Sequence, residues 1–471
     1  MIVKKILINH MNLKISEILK VTGGRIFLTG CKQDILESNI IGISTDSRKL
    51  KKGEMFIALR GDKFDGNNFV FEAMKKGAIG VIISKTEVQS KISNFRKLIT
   101  NNQFIIQVSD TLKTLGDIAK FYRKKFNIPL IAITGSCGKT TTKEMTSAFL
   151  STKFKVLRTK KNYNNLIGLP LTLFNINNKH DVAVVEMGMS HTGEIKRLAE
   201  IARPDIAVIT NIGKAHRGFF NSLEDIAKAK AEIFKISPQP KISILNRDDK
   251  FFSYFVSKTK GEIITFGINK KSDFRAEKIT FDSFGRASFF LNGKIKIKMP
   301  FPGRGNIYNI LTSLAIVSSM GVEIKQSVST LPKIQLLSGR TNFYKVNGVH
   351  VLDDTYNANP LSFINLLEII EKVRIKGKKI LVLGDMLELE KDAQKEHITV
   401  GKLISDSSID ILIAVGTETQ LTAENISANK KVWHFYDKHE AEKKLKSLLS
   451  KGDLLAVKGS RSMGMEKFCR F

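Results

Sequence analysis

The segment IAITGSCGKTTTKEM, residues 131–145, constrains this chain more than any other stretch of it. A strand-length apolar run leads into Gly135-Ser136-Cys137-Gly138-Lys139-Thr140, and a helical pattern follows directly. Glycines let backbone N–H groups close around phosphate oxygens, and the helix N-terminus adds partial positive charge. Lys139 can then reach the β and γ phosphates of a nucleotide, and Thr140 can offer its hydroxyl to Mg2+. The spacing departs from the standard phosphate loop, which carries a glycine two residues earlier, where Ile133 stands. Cys137 is incidental, because such a loop works through backbone groups.

Other apolar runs share this grammar. DVAVVEMG, DIAVITNIG and KISILN are short, bounded by Gly, Asn or Asp, and separated by amphipathic stretches, the pattern of parallel strands buried on both faces. They predict a doubly wound α/β domain. GVHVLDD, KKILVLGDM, DILIAVG and DLLAVKG repeat the pattern in the last third and predict a second, Rossmann-like α/β domain. Residues before about 122 carry shorter elements (MFIAL, AIGVIIS, FIIQVS) and read as a smaller α/β domain. A length of 471 residues suits three domains of about 150 each. Breaks at Pro129 and at LPKIQLLSGR place them at 1–125, 126–335 and 336–471.

A phosphate-loop enzyme needs a carboxylate near its metal, at the end of a neighbouring strand. Glu186 ends DVAVVEMG and fits, although a strand-terminal glutamate also reads as a solvated edge residue. His216 follows the next strand, where a lone loop histidine is otherwise a surface residue. Ser222 and Asp225 read as a capping box for the helix after it. On a 100° wheel Lys230 falls with Leu223, Ile226, Ala227 and Phe234, while Lys228, Glu232 and Lys235 fall opposite. An inward lysine must snorkel, meet a carboxylate or lose its charge. With a depressed pKa it can also react with CO2, giving a carbamate suited to Mg2+.

Further polar strings sit at strand ends and loops, where open α/β sheets bind ligands: STDSR, KNYNNLIGLP, GRGNIYN, SGR, DDTYNANP, GDMLEL and VKGSRSMGME. Singly, each reads as turn chemistry. In this order, together with TGSCGKTTTKE, VVEMGMSHTGEI, ITNIGKAH and AKAEIF, they resemble the Mur ligase family from about residue 40 to 467. TYNANP, and the lack of a D-N-P-R string, resemble the members that add D-alanyl-D-alanine.

The resemblance implies an ATP-dependent ligase that joins D-alanyl-D-alanine to UDP-N-acetylmuramoyl-tripeptide in cytoplasmic peptidoglycan precursor synthesis. It implies UDP binding by the N-terminal domain, where Asp46, Ser47 and Arg48 match the uridine region with Gly53, Phe56, Ala58, Leu59 and Gly61. Asn164 and Asn165 match the loop that meets the UDP-muramoyl portion. ATP falls to Gly135, Ser136, Cys137, Gly138, Lys139, Thr140 and Thr141, with Asn306, Asn309, Arg340, Asn357, Asn359 and Pro360 around the nucleotide. Thr140 and Glu186 are implied to serve one Mg2+, and His216 with carbamylated Lys230 a second. Lys458, Ser460 and Arg461 match a loop near the acceptor site. Lys139, Arg340, His216 and Lys230 are the implied catalytic side chains. The chain departs from the family at Gly305 and Asn67, both usually His, and at Arg217-Gly218, usually Leu-Glu.

The formal charge of +31 admits a nucleic-acid-binding alternative. That class favours clustered Arg, yet the 76 basic residues divide into 59 Lys and 17 Arg, and the longest basic run is Arg123 to Lys125. No nucleic-acid partner is therefore expected, and the charge reads as compositional bias over solvated surface. Cys31, Cys137 and Cys469 form no disulfide framework, and no apolar run approaches the ~20 residues of a membrane span. A cytoplasmic monomer without membrane insertion is expected.

Overall fold

A computed structural model describes residues 11–30, 35–61, 64–86, 99, 103–213, 220–387, 389 and 392–471. It is an α/β protein in two compact units. One comprises Met1–Leu130, Leu157–Met187 and Lys196–Arg203; the other comprises Ile131–Val156, Gly188–Ile195 and Pro204–Phe471.

The first unit holds a five-stranded sheet, in the order Arg25–Thr29, Phe104–Val108, Gly80–Ser84, Met55–Ile57, Ile43–Ser44. All neighbours are parallel except Arg25–Thr29. Helix Thr111–Lys124 is capped by Asp110, whose side chain accepts from the Lys113 N–H. It buries Leu115, Ile118 and Ala119 completely, each aliphatic side chain contributing roughly 1–3 kcal/mol. The basic run at its end does structural work. Arg123, 7% exposed, donates to the carbonyls of Phe126 (2.6 Å) and Ile128 (2.8 Å), and Lys125 pairs with Glu17 at 2.6 Å. The same unit carries the neighbouring strands Val156–Arg158 and Val182–Glu186.

In the second unit, strands Leu130–Thr134, Ile206–Ile209, Ile242–Asn246 and Glu262–Gly267 lie side by side in parallel. Leu130–Thr134 is buried at every position, as an apolar run covered on both faces must be. Beyond them the sheet leaves the expected doubly wound pattern. Phe274–Phe281, Arg286–Leu291 and Ile295–Pro302 form an antiparallel extension. IKIKMPFP exposes Lys296 and Lys298 between buried Ile297 and Met299, an alternation that only a one-sided strand tolerates.

A separate six-stranded sheet follows, in the order Asn342–Val346, Val349–Asp354, Leu454–Lys458, Lys379–Gly384, Ile411–Val415, Lys431–Phe435. Only its first strand is antiparallel. Apolar clusters cover both faces, one around Phe363, Leu366 and Leu383, the other around Val351, Val382 and Phe468. That leaves the strand ends as the place for ligands. No described helix is long and apolar enough to cross a membrane.

Candidate functional site

The phosphate loop leaves its strand at Gly135, with φ of 145°, and enters helix Lys139–Leu150 at Gly138, with φ of 83°. Side chains are barred at both positions. A Cβ would stand 1.9 Å from Thr210 Oγ1 at Gly135 and 2.3 Å from Asn309 Oδ1 at Gly138. Thr210 and Asn211, at the end of strand Ile206–Ile209, hold the loop. The Thr210 hydroxyl donates to the Cys137 carbonyl at 2.6 Å, the Cys137 N–H donates to Asn211 Oδ1 at 2.9 Å, and the Ser136 hydroxyl donates to the Gly213 carbonyl at 3.1 Å. Sequence reading missed this pair, although TNIG at a parallel strand end was a signal for it. Lys139 folds its ammonium over the Gly135 and Ser136 carbonyls, at 2.8 and 3.3 Å. Burial pushes the Cys137 thiol up, so it stays protonated.

Asparagines of helix Arg304–Ser319 back the loop. The Thr142 hydroxyl donates to Asn309 Oδ1 at 3.3 Å, Asn309 Nδ2 donates to Asn306 Oδ1 at 3.0 Å, and Asn306 Nδ2 donates to the Pro302 carbonyl at 2.7 Å. Asn306 and Asn309 are both buried, so these bonds fix the amides in place. A Cβ at Gly305 would lie 3.7 Å from Asn365, so the position has room for a side chain.

Arg340, 200 residues on from Thr140, donates from Nη2 to its hydroxyl at 3.1 Å. Asn359 caps helix Pro360–Lys372 and lies 3.8 Å from Cys137 Sγ, which places that cap at the loop. Pro360 is the first residue of this helix, where its missing N–H costs nothing. Lys458 is 1% exposed; it donates to Asp354 Oδ2 and, at 2.9 Å, to the Asn357 carbonyl. Lys458 therefore braces the TYNANP turn from beneath. Burial drives the Asp354 carboxyl upward against the pull of Lys458 and Arg340. Ser460 joins two loops, its N–H donating to the Asp385 carbonyl at 3.0 Å and its hydroxyl accepting from the Leu387 N–H at 2.8 Å. Arg461 is exposed.

Lys230, 1% exposed, ends helix Leu223–Lys230. Burial pushes its ammonium well below the usual lysine range, and the charge of Lys139 adds to the effect. The inward orientation follows the wheel, but the wheel fails past Lys230. The chain tightens into a 3-10 turn, Ala231–Phe234, and Glu232 is 3% exposed, accepting from the Gly193 N–H at 2.9 Å. The capping box is half made. Ser222 accepts from the Asp225 N–H at 3.1 Å, but the short Asp225 carboxylate takes the Ser222 hydroxyl instead of reaching its backbone. His216, Arg217 and Gly218 lie outside the described residues, as does Cys31. Among the described residues no three His, Cys, Asp or Glu side chains gather as a metal site.

The first unit holds the remaining expected residues. Glu186, 2% exposed, accepts from Asn164 Nδ2 at 2.8 Å. Asn165 Oδ1 accepts from the N–H groups of Ile167 and Gly168, where helix Gly168–Leu173 begins. Arg48, through Nε at 2.9 Å and Nη2 at 3.0 Å, grips Asp46 in a fork that holds the carboxyl at about 2. Ser47 is buried and donates to Glu72 at 3.2 Å. Asn67 donates to Asp65 at 2.7 Å.

Residues 39–123, 133–317 and 339–461 match, in turn, the family descriptions "Mur ligase family, catalytic domain", "Mur ligase middle domain" and "Mur ligase, glutamate ligase domain". The chain is 34% identical to a Bacillus subtilis protein named UDP-N-acetylmuramoyl-tripeptide--D-alanyl-D-alanine ligase, over 92% of this chain and 93% of that one. It is 33% identical to the protein of that name in Escherichia coli, over 93% and 96%. The crystal structure of MurF from Acinetobacter baumannii superposes with a TM-score of 0.87 at 30% identity, covering 98% of both chains. MurF ligase from Thermotoga maritima, solved in complex with ADP, gives 0.78 at 28% identity over 91% of this chain and 96% of that one. With three segments matched in order and relatives alike along nearly their full length, the chain belongs to the Mur ligase family.

Proposed function

We propose that this chain is an ATP-dependent, ADP-forming ligase that joins D-alanyl-D-alanine to UDP-N-acetylmuramoyl-tripeptide. The observation that carries the reading is the bond from Arg340 to Thr140, which sets a guanidinium from the last third of the chain at the phosphate loop. Full-length relatives bearing that enzyme name support it.

Amide formation from a carboxylate requires activation. The terminal carboxylate of the tripeptide attacks the γ-phosphoryl group of ATP, the β–γ bridging bond breaks, and ADP leaves. Lys139 and Arg340 offset the charge spread over the transferring group, the main electrostatic demand of phosphoryl transfer. The amine of D-alanyl-D-alanine then attacks the acyl phosphate, gives up a proton, and expels phosphate through a tetrahedral intermediate. Glycines 135 and 138 bring backbone donors close to the phosphates, and the 126–335 domain supplies the ATP site. The 1–125 domain takes the UDP portion through Asp46, Ser47 and Arg48, with Asn164 and Asn165 on the muramoyl side. The 336–471 domain receives the dipeptide near Lys458, Ser460 and Arg461.

The Thr140 hydroxyl and the Glu186 carboxylate are hard oxygen donors of the kind Mg2+ takes. Buried Lys230, with its ammonium disfavoured, fits conversion to a carbamate that, with His216, would hold a second ion. Bound Mg2+ supplies positive charge along the phosphate oxygens. The enzyme acts as a cytoplasmic monomer.

The test is ADP release, expected only when UDP-N-acetylmuramoyl-tripeptide and D-alanyl-D-alanine are both present. Release with one free amino acid in place of the dipeptide overturns the assignment in favour of another member of the family.

A further inference from the structure

We infer that Tyr356 is the positioning residue of Arg340, holding the guanidinium plane so that its edge faces the phosphate loop. The inference rests on the reading of Arg340 as a phosphate-site residue and assigns a role to a tyrosine outside the expected site.

The Arg340 guanidinium carbon stands 3.7 Å from the Tyr356 ring centroid, full contact for a cation over an aromatic face. The backbone locks that pairing, since the Tyr356 N–H donates to the Gly339 carbonyl at 3.0 Å. On the other side of Arg340, the Thr341 N–H donates to Asp354 Oδ1 at 3.1 Å, and Asp354 is held by Lys458. Arg340 Nη2 reaches the Thr140 hydroxyl, while its Nε–H is buried with no hydrogen-bond partner. A guanidinium with one donor spent on the loop and another unspent needs its plane set by something other than hydrogen bonds. The Tyr356 ring does that, because stacking fixes the plane and leaves the edge donors free for phosphate oxygens. Arg461 also approaches the ring, but at 5.9 Å and from an exposed position, so Arg340 is the cation the ring holds.

The experiment is a double-mutant cycle read as kcat for ADP release, with KM for ATP and for D-alanyl-D-alanine measured alongside. Tyr356→Leu is expected to lower kcat about tenfold. Tyr356→Phe, which keeps the ring, is expected to recover most of that loss. In an Arg340→Ala background, Tyr356→Leu is expected to have almost no further effect. Thermal melting of each variant separates a folding defect, which would lower activity alike in both backgrounds. Additive losses, or a rise in KM for ATP that persists without Arg340, overturn the inference and make Tyr356 a nucleotide contact of its own. Full activity of Arg340→Ala overturns the reading of Arg340 and this inference with it.

Discussion

Asn309 Oδ1 occupies the space that a side chain at residue 138 would need, 2.3 Å from the Cβ position of Gly138. Glycine is required there twice over, by contact and by a φ of 83°. Gly138→Ala must therefore displace either the loop or the asparagine. It is expected to lower kcat/KM for ATP by about 100-fold, the usual penalty for displacing reactive groups by an ångström. Steady-state kinetics at varied ATP check this, and a change under threefold would show that the loop adapts.

Lys230 is buried with its ammonium strongly disfavoured. If its role is to carry a carbamate, Lys230→Ala loses activity and added short-chain carboxylic acids restore part of it, because a free carboxylate can take the vacated space. Activity assays with and without acetate decide the point. An alanine variant as active as the parent removes the carbamate from the mechanism.

Lys458 and Asp354 form a buried pair, so removing one member strands the other's charge. Lys458→Met is expected to destabilise the protein by about 3–5 kcal/mol. Asp354→Asn in the same chain is expected to return a large part of that loss, since no buried carboxylate is then left unpaired. Denaturant unfolding of the single and double variants measures both changes, and a single variant within 1 kcal/mol of the parent counts against the pairing.

His397 is fully buried between two partners. Its Nε2 accepts from the Met386 N–H at 3.3 Å, and its Nδ1 lies 2.8 Å from the Thr422 hydroxyl, a pattern only the neutral ring satisfies at Nε2. Burial lowers its pKa from 6.5 to about 4. A ring that protonates more readily in the unfolded chain contributes stability that is complete above about 6.5 and declines as pH falls towards 4. The loss attributable to this residue approaches about 3 kcal/mol below pH 4. His397→Gln is expected to flatten the stability profile across that window, and an unchanged slope would deny the histidine its part.

The parallel strands were legible because a strand buried on both faces has to be an unbroken apolar run. LIAIT, VAVVE, IAVI and ISILN all lie where such runs predict them. The antiparallel extension at 274–302 was not, since its alternation acquires meaning only once one face is known to be covered. Lys230 pointed inward on a helical wheel and does so in the fold, whereas Glu232 broke the same wheel when the helix tightened into a 3-10 turn.

The amino-acid sequence by itself determined the phosphate loop. Its geometry depends on neighbouring residues, on two glycines whose backbones no other residue can follow and a lysine and threonine at set spacing. Tertiary structure decided the contacts made around that loop. Thr210, Asn309 and Arg340 reach it from distant stretches of chain, with Tyr356 stacked on Arg340, and which of them meet depends on how strands and helices pack. It also gave Lys458, expected near the acceptor, a buried bond with Asp354, because adjacent parallel strands set the two residues side by side.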